Sequence, residues 1–217
     1  MKKTILLGML GCLCFAVSVR AQLQKGTKYV GGTVSFSGYN NRPNKEVDQP
    51  TNFNQISFNP SLQVGSFVKD KVMVGVGAGA ALYFGWTKSK FSGALPDFKE
   101  NRQTYSLSPF IRHYKSLSPK WAIFLNSSAE FLFLRSRMNV VPFDIIENGF
   151  AAGIQIIPGI SYWISPRFAL ESDINLLSLS TGYRNFQDTK SFYFTSAATS
   201  NLNSYFSIRA SWYLQKP

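Results

Sequence analysis

The sequence has few of the side chains that enzymes and metal proteins use. Its 217 residues include one histidine, His113, and two cysteines, Cys12 and Cys14, both within residues 1–21. If those residues form a leader that is removed on export, the remaining chain has no thiol, no disulfide and no cysteine ligand. We therefore expect no metal, no cofactor and no thiol-based catalytic site.

Long apolar runs are also missing, except at the start of the chain. Two lysines precede an apolar run over residues 5–17, and Val19-Arg20-Ala21 is a small-x-small cleavage site. This order predicts a secretory signal peptide over residues 1–21 and one exported domain over residues 22–217. A lipoprotein anchored at Cys12 is a less favoured alternative, because the residues before Cys12 match a lipobox poorly. No later segment approaches the roughly 20 apolar residues of a membrane-spanning helix.

Acidic side chains are scarce, with 11 Asp and Glu against 23 Lys and Arg, for a net charge of +12. Removal of the leader takes three basic residues and no acidic one, which leaves 20 (23 − 3) basic residues and a net charge of +9 (20 − 11). These basic groups are scattered along the chain rather than clustered. Nucleic-acid binding is disfavoured for such a chain, particularly once it is exported.

What the sequence does have is alternation of polar and apolar residues. From Asn54 to Val64 the two kinds alternate without a break, as in a strand with one polar and one apolar face. Eight such stretches occur, and the connections between them are alternately short turns and long polar segments. This arrangement is typical of outer-membrane barrels. The predicted strands are 29–37, 55–67, 72–86, 104–114, 121–133, 150–164, 168–180 and 203–214.

Charged residues within these strands fall on one face only. They share their register with Gly, Ser, Asn and Gln, whereas the opposite face carries no Lys, Arg, Asp or Glu. A face of small polar residues suits the crowded interior of an eight-stranded barrel better than it suits bulk water. We therefore predict an all-β, antiparallel, up-and-down transmembrane barrel whose lumen holds a charge network of Arg112, Glu130, Glu171, Asp173 and Arg209.

Three prolines mark a repeat within the predicted strands. Pro60, Pro109 and Pro158 are each 49 residues apart (109 − 60 and 158 − 109), and each is followed by a strand, a short turn and another strand. Because proline cannot donate to a ladder and a closed barrel has no edge strand, we expect a bulge or a missing hydrogen bond at each.

Aromatic and basic residues lie near the predicted strand ends. Aromatic rings favour the boundary between lipid and water, and we expect interfacial rings at Trp121, Tyr162, Trp163, Trp212 and Tyr213 on the short-turn side and at Phe84 and Trp86 on the other. Basic residues follow the third and fifth strands on the long-loop side. Contacts to lipopolysaccharide phosphates are predicted for Lys88, Lys90, Arg135 and Arg137.

The chain resembles the outer-membrane β-barrel domain proteins common in Bacteroidota, whose architecture is that of the small eight-stranded A-type and X-type outer-membrane proteins. The resemblance is carried by Ser108-Pro109-Phe110-Ile111-Arg112-His113-Tyr114 and by Ile157-Pro158-Gly159-Ile160-Ser161-Tyr162-Trp163, each leading into a tight turn. It implies an integral outer-membrane location and help from the barrel-assembly machinery. The final strand departs from the family pattern, because Gln215-Lys216-Pro217 follows its last apolar residue.

Three functions are compatible with the sequence. The favoured one is a non-enzymatic structural or surface-interaction protein whose loops contact lipopolysaccharide or an unknown surface partner. The second is a narrow, porin-like channel for ions or small solutes, and the third is a secreted lipocalin-like carrier with the opposite facing. Catalysis by His113 is disfavoured, because this residue falls on the outward face without a positioned nucleophile.

Overall fold

A computed structural model of the protein describes residues 23–41, 51–89, 98–140, 143–187, 189–196 and 206–215. The predicted signal peptide, residues 1–21, lies outside these ranges. No helix in the described part of the chain is long and apolar enough to cross a membrane.

The described residues form ten antiparallel strands in one sheet. Consecutive strands from β1 to β6 pair with one another, β6 pairs with both β7 and β8, and β10 pairs with β7. The strands are β1 (Lys28–Asn41), β2 (Thr51–Lys69), β3 (Val72–Ser89), β4 (Phe98–Ser116), β5 (Trp121–Val140), β6 (Phe143–Ser165), β7 (Phe168–Ile174), β8 (Leu179–Phe186), β9 (Thr189–Ser196) and β10 (Phe206–Leu214).

The sheet closes on itself where the first strand meets the last. β1 pairs with β10 from Lys28 with Leu214 to Gly32 with Ala210. β7 and β8 are the two halves of the seventh wall strand, and β10 is the short-turn half of the eighth. The prediction of a closed, antiparallel, eight-stranded barrel is therefore confirmed.

Each of the three repeated prolines coincides with a defect in a ladder. The pairing of β2 with β3 skips Asn59 and Pro60, and the pairing of β4 with β5 skips Ser108 and Pro109, in both cases without a change of register. Pro158 lies where β6 stops pairing with β8 and starts pairing with β7, opposite a 3₁₀ turn over residues 175–177. The expected loss of ladder pairing at each proline is confirmed.

The strands extend farther at the long-loop end than the sequence predicts. The segment 134–149 is predicted as a loop, yet β5 continues to Val140 and β6 begins at Phe143. The segment 181–202 likewise contains most of β8 and all of β9, which form a hairpin. These predictions are wrong because polar residues appear on the outward face there, and the alternation that marks a strand disappears.

The short-turn end is closed by the residues before β1. Leu23 is buried, its carbonyl accepts a hydrogen bond from the Lys71 amide at 2.7 Å, and the Lys25 amide donates to the Asp70 carboxylate at 2.9 Å. The Gly26 amide donates to the Phe67 carbonyl at 2.8 Å. Residues 23–26 thus cover this end of the lumen.

Candidate functional site

The lumen near the short turns is a packed core rather than a pore. Arg112 and Met73 have no exposed surface, and aromatic rings from six strands surround them. The Arg112 guanidinium lies 4.6 Å from the centre of the Phe124 ring and 5.1 Å from that of Phe110. Gly159 has no side chain at the point where the Phe124 ring packs against β6, so this ring lies directly on the backbone. The core rings are Tyr29, Phe67, Phe110, Tyr114, Phe124, Trp163 and Tyr213.

Arg112 directs every edge of its guanidinium at an acceptor. Its Nη1 donates to Glu171 Oε2 at 2.9 Å, its Nη2 to Gln63 Oε1 at 2.9 Å and its Nε to Asn126 Oδ1 at 3.2 Å. The Tyr114 and Tyr29 hydroxyls lie 3.2 and 3.3 Å from Nη1. A buried guanidinium is tolerated only when its donors are satisfied in this way.

Glu171 is the anion at the centre of the network. Seven donors reach its two oxygens within 3.1 Å, from two arginines, three tyrosines and two serines. The shortest two are the Tyr213 hydroxyl to Oε1 at 2.6 Å and the Tyr29 hydroxyl to Oε2 at 2.7 Å. The remaining donors are Arg112, Arg209, Tyr114, Ser161 and Ser211.

A second arginine completes the balance of charge. Arg209 donates through Nε to Glu171 Oε2 at 3.1 Å and holds Asp173 with two hydrogen bonds of 2.9 and 3.1 Å. Two cations and two anions therefore neutralise one another in the lumen, which lowers the cost of burying them. Residues two apart on one strand share a face, which is why Glu171 and Asp173 on β7 both point inward.

Glu130 lies apart from the other four predicted members of this network. It faces the lumen from β5, but no described residue forms a hydrogen bond or ion pair with it. Instead it lines a cavity of about 750 Å³ in the long-loop half of the barrel. The predicted network therefore brings together Arg112, Glu171, Asp173 and Arg209, while Glu130 belongs to a different part of the lumen.

The predicted basic rim is partly described. Arg135 and Arg137 lie on the outward face of β5 and are exposed, and Arg137 forms a two-bonded ion pair with Asp144 at 2.7 and 3.1 Å. Lys90 and the side chain of Lys88 lie outside the described residues. Exposed Lys99 and Lys190 join this outer rim, although neither was predicted to do so.

Two aromatic residues predicted at the membrane interface point into the lumen instead. Trp163 and Tyr213 are 2% and 0% exposed, whereas their chain neighbours Tyr162 and Trp212 face outward. The prediction was wrong because adjacent strand residues point to opposite faces, so only one member of each pair can lie in the interface. The sequence signal that was missed is this parity: Tyr213 shares its register with Arg209 and Ser211.

No group of three or more His, Cys, Asp or Glu side chains suited to a metal ion occurs among the described residues. His113 is exposed on the outward face of β4.

Comparisons with known proteins give little guidance. No family model matches the chain, and no curated protein matches it. A solved structure of a major outer membrane protein from Thermus thermophilus aligns with 87% of this chain and 99% of its own, at 13% identity and a TM-score of 0.47. A likeness at this level carries no argument about the role of this chain.

Replacement of the central anion should destabilise the barrel far more than replacement of a rim anion. Glu171→Gln removes the charge that faces two buried guanidinium groups and should lower the free energy of unfolding by about 3–5 kcal/mol. Asp144→Asn breaks an exposed ion pair and should change it little. Urea unfolding in lipid vesicles, followed by tryptophan fluorescence, measures both, and equal effects would contradict a central role for Glu171.

Proposed function

We propose that the chain is an integral barrel of a Gram-negative outer membrane, with a non-enzymatic structural or surface-interaction role. The observation that carries the proposal is a band of apolar side chains on the outside of the barrel, bounded by aromatic rings at both edges. Water does not favour such a surface, whereas acyl chains do.

The band covers the outward face of neighbouring strands without interruption by charge. Large apolar side chains that would be buried in a water-soluble domain are exposed here, and the polar side chains lie inside. Examples of these exposed residues are Val64, Val74, Val76, Leu107, Ile111, Ile123, Leu125, Phe131, Ile154, Ile156 and Leu170. This facing is the opposite of what a lipocalin-like carrier needs, and it argues against that alternative.

The long-loop edge of the band is a row of aromatic residues. Tyr105 pairs with Phe133 and Phe133 with Phe150 in one row across β4, β5 and β6. One outward position farther along, five strands turn polar. The pairs that mark this change on β4, β5, β6, β8 and β9 are Tyr105 to Gln103, Phe133 to Arg135, Phe150 to Asn148, Tyr183 to Asn185 and Phe192 to Lys190. Such a switch at matched positions is typical of an interface between lipid and water.

The short-turn edge carries outward aromatic pairs of its own. The Trp121 and Tyr162 rings lie 4.5 Å apart and the Phe168 and Trp212 rings 5.0 Å apart. From Trp121 to Phe133 there are 12 residue steps (133 − 121), or about 40 Å along the strand and about 30 Å along the axis at a tilt of about 40°. That height matches the hydrocarbon core of a bilayer.

The packed core argues for a filled lumen rather than a channel. The Arg112 and Glu171 side chains fill the lumen and expose no surface, and the residues around Leu23 cover the same end. Ions would have to displace a fully paired network to pass. The packed core therefore favours the hypothesis of a non-conducting barrel.

The proposal extends to how the chain reaches the membrane and what it contacts there. Export through a cleaved leader of residues 1–21, kinship with the Bacteroidota barrels and handling of strand β10 by the barrel-assembly machinery are supported by the sequence patterns. Contact with lipopolysaccharide is supported by exposed cations beyond the aromatic row on the long-loop side, where its phosphates would lie. These cations are Lys99, Arg135 and Lys190.

Two isoleucines on one strand test the membrane location. Ile156 and Ile146 both face outward on β6 and are 37% and 48% exposed, but only Ile156 lies inside the band. Ile156→Arg should lower membrane insertion and stability by about 2–4 kcal/mol, whereas Ile146→Arg should have little effect. Outer-membrane fractionation and the heat-dependent gel shift measure both, and similar behaviour of the two variants would contradict the proposal.

Conductance separates the closed barrel from the channel. The wild-type protein in planar bilayers should show no steady single-channel openings, because the paired core leaves no water path. Steady openings that Arg112→Ala alters would favour the channel instead.

The outer rim offers a test of lipopolysaccharide contact. Arg135→Gln with Lys190→Gln should weaken binding of purified lipopolysaccharide at low salt by about tenfold or more, at about 1 kcal/mol per basic side chain. The matched control is Lys115→Gln with Lys120→Gln, which removes two exposed cations from the opposite rim. An equal loss in both double variants would show that only net charge matters.

A further inference from the structure

The long-loop half of the lumen contains a cavity that the packed core does not fill. Its volume is about 750 Å³, and its lining combines small polar side chains with apolar ones such as Ala81 and Leu132. The polar residues include Thr33, Ser35, Asn59, Ser61 and Ser106. A cavity lined in this way, with polar groups in fixed positions, is a common form of small-molecule site.

Glu130 is the one charged side chain that lines this cavity among the described residues. No hydrogen bond or ion pair reaches it from that part of the chain, in contrast to Glu171 in the packed core, and no described basic side chain lines the same space. A half-buried carboxylate without a partner is costly, and a cation placed beside it removes that cost. The cavity is therefore complementary to a positively charged group.

The cavity also reaches the outside of the barrel through the wall. The pairing of β1 with β10 ends at Gly32 and Ala210. The next outward residues, Val34 and Ile208, line the cavity as well and are each 70% exposed. As far as the described residues define the wall, a space bordered by both inward-facing and outward-facing residues opens sideways at this seam.

The seam lies within the apolar band. Val34 is outward between Val30 and Phe36 on β1, and Ile208 is outward on the strand that carries Trp212. Along this side β1 pairs only with β2 from Thr33 to Asn41, among the described residues. The opening therefore faces the region that acyl chains occupy if the barrel spans a membrane.

We propose that this cavity binds the headgroup of a single-chain amphiphile that carries an ammonium group. The ammonium ion pairs with Glu130, the hydroxyl side chains of Ser61 and Ser106 surround it, and the alkyl chain leaves between Val34 and Ile208 into the bilayer. The site rests on the proposed membrane location, because only there does an apolar chain have a favourable place outside the opening.

Dodecylamine, dodecanol and dodecanoate separate the contributions of charge and chain. The full chain in dodecyl maltoside micelles presents the cavity in an uncharged surround, and the amine is protonated at pH 7 because its pKa resembles that of lysine. Titration calorimetry should show one dodecylamine per barrel, bound at least tenfold more tightly than the alcohol or the carboxylate. Equal binding of all three would overturn the headgroup assignment.

Two variants locate the site. Glu130→Gln should reduce dodecylamine binding to the level of dodecanol, whereas Glu147→Gln, a carboxylate farther along the same lumen that accepts a hydrogen bond from Gln187, should leave it unchanged. Val34→Trp should narrow the opening and weaken dodecylamine binding at least tenfold without removing the carboxylate. Unchanged binding in Glu130→Gln or in Val34→Trp would overturn the proposal.

The amphiphile site and the membrane location can be overturned separately. A heat-modifiable, outer-membrane barrel that binds no dodecylamine would overturn the amphiphile site and leave the membrane location standing. A wild-type product found only in soluble fractions would overturn both.

Discussion

The structure depends on one constraint: where side chains fill the narrow lumen there is no space to hydrate a charge, so every ion placed in the packed core must be neutralised by another side chain. Arg112, Glu171, Arg209 and Asp173 meet this requirement with two positive and two negative groups linked by short hydrogen bonds. Tyrosine hydroxyls take up the remaining lone pairs of the central carboxylate. This part of the lumen can then carry charge without holding water, and the ions pack among aromatic rings.

The same constraint divides the barrel into two halves of different character. The half near the short turns is filled by rings and paired charges, which makes it rigid. The other half has small side chains, a lone carboxylate at Glu130 and a wall that is incomplete beside β1 among the described residues. The packed half stabilises the barrel, and the proposed ligand site lies in the other half, an arrangement that is common where a packed scaffold carries a binding surface.

The sequence predicted the class of fold because side chains along a strand point to alternate faces, which gives a polar and apolar pattern with a period of two residues. The positions of five charged residues were enough to show which face is internal. It did not predict the outer extensions of β5 and β6, since the outward face becomes polar above the aromatic row and alternation no longer distinguishes strand from loop. Four of the five lumen charges meet, but their partners are set by strand stagger, which no local pattern encodes. For that reason Glu130, in the same register as Asn126, ends in a separate space.

The hydrogen bond between Tyr29 and Ser211 joins residues 182 positions apart, and the one between Tyr29 and Glu171 joins residues 142 apart. The first bond requires the first and last strands to be side by side, and the second requires β1 to approach β7 with only β10 between them. Neither forms in a sheet that has not closed. Folding of this chain is therefore expected to be slow and all-or-none, with nearly the whole polypeptide positioned before its interior gains stability. Arg209 faces Glu171 as soon as β10 pairs with β7, but until closure the Arg112 guanidinium on β4 would remain without this anion, which favours holding the unfinished sheet where water still reaches it.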